Sequence, residues 1–155
     1  MAKGPQVGDE APDFELEGTE GRFRLSEQRG TRVLLLFYPG DGTPVCTKQF
    51  CSYRDSAAQL QAWDATVIGI SAQDVDSHER FTHKHGLTVP LLADPGGEVA
   101  RMYGAWMGPL HMTRRAVVLV DEQGIVRYRH DHRFGLDYQT PDELEKALRS
   151  VEARA

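Results

Sequence analysis

The chain of 155 residues holds two cysteines, Cys46 and Cys51, and both lie in the stretch VLLLFYPGDGTPVCTKQFCSYRD, residues 33–55. A thiol does its chemistry as the thiolate, the form that attacks electrophiles and exchanges disulfides. The residues ahead of Cys46 suit such an anion. Thr43-Pro44 reads as a helix N-cap followed by proline at the first helical position, which puts Cys46 in the first helical turn. Free backbone N–H groups and the positive end of the helix dipole favour a negative charge there. The plainer reading is two small apolar residues on a buried helix face, since free cysteine is often buried and inert. A spacing of five does not keep two side chains on one helix face, so a single apolar periodicity does not account for both.

The elements around this stretch must hold the thiol in place. Val33 to Tyr38 is an unbroken apolar and aromatic run, long enough for a buried strand and too short for a bilayer. Pro39 ends it, because proline cannot donate to a strand ladder. Gly40-Asp41-Gly42 makes a turn, and a helix is predicted from about residue 44 to 62, with Phe50, Tyr53, Ala57, Leu60 and Ala62 at roughly helical spacing. Alternation at 13–16 and 22–25 predicts a hairpin with one buried face. Strands are expected at Thr66–Ala72, Leu91–Ala93, Ala116–Val120 and Ile125–Asp131, and helices at Asp74–Lys84 and Gly97–Tyr103, with a loop from Gly104 to Thr113. The last helix starts at Thr140, with Pro141 at its first position and Glu143 completing a capping box. Strands alternating with helices imply an α/β fold, a mixed sheet covered by helices on both faces, in one domain spanning 1–155.

Composition narrows the function. A formal charge of −5 argues against nucleic acid as a partner. No apolar run is long enough for a membrane span. The start, MAKGPQVGDE, has no apolar core of a signal peptide, so a cytoplasmic location is expected. Two cysteines five apart in such a chain point to redox or metal chemistry rather than to a structural staple. His83 with His85, and His130 with His132, have no cysteine or carboxylate spaced with them as a zinc set requires, so they are expected to be solvated. The basic strand Arg127-x-Arg129-x-x-x-Arg133 is expected to form a solvent face.

The pattern Pro39-x-x-x-Thr43-x-x-Cys46 is similar to the peroxiredoxin active-site signature. Thr47-x-x-x-Cys51-x-x-Arg54-Asp55 resembles the subgroup called bacterioferritin comigratory protein, or peroxiredoxin Q. The resemblance extends to Gly8-Asp9-x-Ala11-Pro12-Asp13-Phe14 and to Arg115-x-x-x-Leu119-x-Asp121, and covers residue 7 to about 130. It implies a thioredoxin-like fold with an N-terminal hairpin. It also implies a peroxidase acting on hydrogen peroxide and small organic hydroperoxides, with no metal, haem or flavin. Cys46 would be the nucleophile. Thr43 would hold thiolate and peroxide, or serve simply as the N-cap. Pro39 would shape the turn and keep water from the thiolate. Arg115 would supply the cation that favours the thiolate and binds the peroxide oxygens, while Arg114 faces the other way. Cys51 would be the resolving thiol, condensing with a Cys46 sulfenic acid to a disulfide. Thioredoxin or a similar dithiol would reduce it, and the protein would be a monomer or weak homodimer.

The chain departs from that pattern at Gln49, where glutamate is usual, and in a short loop between Trp106 and Arg115. An amide still accepts a hydrogen bond but brings no charge. A non-enzymatic redox sensor is the main rival reading. A thiol–disulfide oxidoreductase would call for a C-x-x-C motif, which the chain lacks. Five residues along a helix separate two Cα atoms by roughly 8–9 Å. A disulfide seldom spans more than about 7 Å between Cα atoms. The helix from about Pro44 to Tyr53 would therefore unwind on oxidation, with Gly40 and Gly42 absorbing the backbone change.

Overall fold

A computed structural model describes residues 4–132 and 137–152. Arg133, at the end of the basic strand pattern, lies outside them. The described chain forms a mixed seven-stranded sheet. Its strands are β1 (Glu15–Gly18), β2 (Gly21–Arg24), β3 (Arg32–Phe37), β4 (Ala65–Ser71), β5 (Leu91–Ala93), β8 (Ala116–Val120) and β9 (Val126–Asp131), in the order β2-β1-β5-β4-β3-β8-β9. Central β3 runs parallel to β4 and antiparallel to β8. A strand paired on both edges and covered on both faces must be apolar throughout, which is why 33–38 shows no alternation.

Side chains of β3 still alternate in space. Val33, Leu35 and Phe37 enter one cluster with Phe14, Val99, Ala100 and Tyr103, the last three from or just after α4 (Glu98–Met102). Leu34 and Leu36 enter the other, with Phe50 and Tyr53 of α1 (Pro44–Asp55), Phe81 of α3 (Val75–His85), and Leu144 and Leu148 of α5 (Pro141–Glu152). Burying each such side chain contributes about 1.5–3 kcal/mol. Both faces of the sheet are thus covered, as the alternation of elements implied. Among the described residues no helix is long and apolar enough to cross a membrane.

Several elements differ from expectation. The single helix over 44–62 is two, because Ser56 (φ −112°, ψ 26°) leaves helical geometry and α2 (Ala57–Gln61) starts beyond it. The break lets Leu60 and Trp63 reach the core, whereas Ala62 is exposed. The span 104–113 is not a plain loop: β6 (Trp106–Met107) and β7 (Met112–Thr113) pair as a small hairpin around a 3-10 turn. The first hairpin is tighter than expected, with Thr19-Glu20 between its strands, and Leu16 facing Phe23. Two further helix ends are capped by their own local residues. Gly86 closes α3 in the left-handed region at φ 61°, and Thr140 and Glu143 exchange backbone-to-side-chain hydrogen bonds ahead of α5.

The solvated-residue expectations fail at two positions. His132 is buried with its ring 4.5 Å from that of His130. The Arg129 side chain is also buried, and it satisfies its donors on Asp131 and the Pro5 carbonyl. Arg127 is exposed and pairs with Asp121.

Candidate active site

The turn Pro39–Thr43 leads from β3 into α1, so the first turn of α1 rises beside the carboxyl end of the central strand. Thr43 has extended backbone and accepts the Cys46 N–H at 3.4 Å through Oγ1. This is the N-cap that the sequence foretold, and such a cap contributes about 1 kcal/mol to the helix. The Thr43 hydroxyl hydrogen is given to the Gly40 carbonyl at 3.3 Å. Its oxygen lone pairs therefore face the helix start. Pro39 is half-buried at the head of the turn.

Cys46 is completely buried. Its partner comes from β8, the antiparallel neighbour of β3. Arg115, immediately before β8, is 2 % exposed and donates through Nη2 to the Cys46 Sγ at 3.3 Å. Arg115 Nη1 donates to the Gln49 Oε1, one turn further along α1. Arg114 points away, to the Gly104 carbonyl at 2.5 Å and to Asp131 at 2.9 Å. The structure therefore brings Cys46, Thr43 and Arg115 together and leaves Arg114 outside. Cys51 is a partly buried free thiol, on α1 like Cys46, and packs against the same core cluster.

The arrangement is a buried thiol between a helix N-terminus and a guanidinium, with a hydroxyl at the cap. It sets N–H donors against the sulfur and against any oxygen that comes beside it.

The AhpC/TSA family profile matches residues 7–129. Peroxiredoxin Bcp of Bacillus subtilis is 36 % identical over 126 residues, which are 77 % of this chain and 80 % of that protein. The chain belongs to the AhpC/TSA family, among the peroxiredoxins of the Q/Bcp type. Chloroplastic peroxiredoxin Q of Oryza sativa subsp. japonica is 39 % identical over 131 residues, but the match takes in only 59 % of that longer protein. The crystal structure of peroxidoxin BcpB from Mycobacterium tuberculosis superposes with a TM-score of 0.81 at 31 % identity, over 97 % of this chain and 99 % of that one. The fold is thioredoxin-like, as the resemblance implied.

In this peroxiredoxin the sequence reading missed the residues that support the arginine. The Gln49 Nε2 donates to the Tyr53 hydroxyl at 3.1 Å, and that hydroxyl donates to the Gln139 carbonyl at 2.6 Å. The Gln139 side chain in turn accepts the Tyr128 hydroxyl at 2.8 Å. Burial pushes the Tyr53 phenol far up, so its proton stays available to donate. An amide suits position 49: its oxygen takes Arg115 and its nitrogen supplies Tyr53. A carboxylate there would have no hydrogen for Tyr53. The sequence signal for Tyr53 was its place four residues after Gln49, the spacing at which helical side chains meet.

The glycines flanking the turn are not alike. Gly40 is buried, and a Cβ there would come within 2.9 Å of the Gln73 side-chain nitrogen. Gly42 is exposed at φ 79° with open space around it.

Proposed function

We propose that the chain is a thiol-dependent peroxidase acting as one catalytic domain. The observation that carries this reading is the Arg115 guanidinium on the Cys46 sulfur, at the start of a capped helix. The Cys46 thiolate attacks one oxygen of a hydroperoxide and breaks the O–O bond. The other oxygen leaves as water or an alcohol after taking a proton, and Cys46 is left as a sulfenic acid. The Arg115 donors and the Thr43 hydroxyl hold the two oxygens and spread the charge that develops on the departing one. The complete burial of Cys46 favours hydrogen peroxide and small organic hydroperoxides over bulky ones.

Cys51 then attacks the sulfenic sulfur, and water leaves as the disulfide forms. A thioredoxin-type dithiol reopens the disulfide by exchange. Both cysteines occupy the single helix α1, which supports an opening of that helix between the two steps. A monomer or weak homodimer in the cytoplasm suffices for this cycle. The test is peroxide consumption followed by stopped flow with thioredoxin, its reductase and reduced nicotinamide cofactor. Stoichiometric oxidation without turnover would instead identify a redox sensor.

A further inference from the structure

Asp41 and His78 form a buried pair that the peroxidase chemistry does not itself use. Their side chains are 7 % and 0 % exposed, and the His78 Nδ1 lies 2.7 Å from the Asp41 Oδ2. The His78 Nε2 lies 2.9 Å from the Leu92 carbonyl, which can only accept, so that nitrogen carries a hydrogen. Asp41 also accepts the Tyr38 hydroxyl at 2.7 Å and the Ser77 hydroxyl at 2.7 Å. Burial alone would raise the Asp41 carboxyl, but His78, Tyr38 and Ser77 outweigh it and bring it below its ordinary value. The His78 ring is thus held at both nitrogens, by Asp41 at Nδ1 and by the Leu92 carbonyl at Nε2. The Asp41 backbone N–H is given to Gln73, whose oxygen also takes the Ser71 hydroxyl.

Apart from Tyr38, these partners of Asp41 come from the segment 71–78, at the end of β4 and the start of α3, and none from α1. The turn before Cys46 is therefore fastened to α3. The fastening reaches the site through one peptide. The Asp41 N–H held by Gln73 shares its peptide with the Gly40 carbonyl, Gly40 receives the Thr43 hydroxyl hydrogen, and Thr43 receives the Cys46 N–H.

We propose that Asp41 and His78 are positioning residues for the peroxide-reducing step, a latch that keeps the Thr43 hydroxyl aimed while α1 opens and closes. The inference rests on the peroxidase reading, and it divides the two chemical steps. Sulfenic acid formation needs Thr43 in register and depends on the latch. Disulfide formation needs α1 unwound beyond Pro44 and does not. A buried polar pair is weak support for stability as such, and orientation is the role left to it.

The test follows both steps by quenched flow, with the thiol, sulfenic acid and disulfide forms separated by mass after mixing reduced protein with hydrogen peroxide. Asp41→Asn and His78→Gln are expected to slow sulfenic acid formation by about 10- to 100-fold, the scale of a small misplacement at a reacting centre. Conversion of sulfenic acid to disulfide should stay within about twofold of wild type or speed up, and the thiolate titration by ultraviolet absorbance should not move. Ser77→Ala removes one donor to Asp41 from a partly exposed position and tests the same pattern in a mild form. An unchanged first step in any folded variant, or equal slowing of both steps, would overturn the latch. A wild-type protein that halts at sulfenic acid would remove the Cys51 reading instead, and the first-step comparison would still decide the latch.

Discussion

Arg115 Nη2 stands 3.3 Å from Cys46 Sγ although 69 positions separate the two residues. Both are buried, so the charge interaction is weakly screened. Arg115→Ala is expected to lower the thiolate fraction at neutral pH and slow peroxide reduction by about 100-fold or more. Arg114→Ala removes a half-exposed pair with Asp131 and should change the rate by less than about threefold. An ultraviolet thiolate titration with stopped-flow rates for both variants decides it. Equal effects would remove Arg115 from its assigned role.

Gln49→Glu sets a carboxylate against Arg115, where it competes with the sulfur for the same cation. Less thiolate is expected at a given pH. Tyr53 must also turn its proton toward the new acceptor, leaving the Gln139 carbonyl short of a donor at a cost of about 1–3 kcal/mol. More thiolate in this variant, or unchanged stability in urea, would contradict the network described for Gln49.

Cys46→Ser should abolish peroxide reduction, because the attacking thiolate is gone. Cys51→Ser should complete one oxidation and stop at a sulfenic acid that dimedone traps. Mass spectrometry of the two variants after one equivalent of peroxide separates these outcomes. Wild-type consumption by Cys46→Ser would show that the nucleophile lies elsewhere.

Oxidation should speed amide hydrogen exchange across residues 44–53, where the helix has to open for a Cys46–Cys51 bond. Residues 57–61 of α2, beyond the break at Ser56, should keep their protection. Identical protection of 44–53 in both redox forms would be incompatible with the intramolecular disulfide.

His132 makes the fold sensitive to mild acid. Burial, then His130 and Arg115, hold its imidazole below the ordinary 6.5, with Asp137 and Glu143 pulling the other way. The unfolded chain thus binds a proton at a higher pH than the folded one. Stability should fall as pH drops from about 6.5 through the lower folded value. The hydrogen-bonded carboxylates Asp41 and Asp131, lowered from 3.8, give the same sign only at more acid pH. Urea melts at about pH 7.5 and 5.5 should show the loss in wild type and a smaller one in His132→Phe.

Much of the site was legible in sequence because its signals are local. The apolar run before Pro39, the Thr43-Pro44 cap and Cys46 three residues on lie within one strand–turn–helix unit, whereas Arg115 was singled out from Arg114 only by the family resemblance. Tyr53 with the Gln139 carbonyl and Asp41 with His78 were not legible, since their partners lie 86 and 37 positions away. His78 stands three residues before Phe81 on α3, on the same helix face. The break at Ser56 left no mark either, since serine and the alanines after it extend a helix readily; the packing of Leu60 and Trp63 decides it.

That break also bears on timing. With the turn fastened at Asp41 and the chain leaving α1 at Ser56, the segment that melts in the proposed cycle has both ends held near their native positions. Its recovery is a closure between fixed posts and not a search by a free chain. Short loops close in about 10–100 ns and helices relax in about 0.1–1 μs. Thiol–disulfide exchange is far slower than either. The pace of the cycle is then left to encounters with peroxide and reductant, and refolding adds no delay to it.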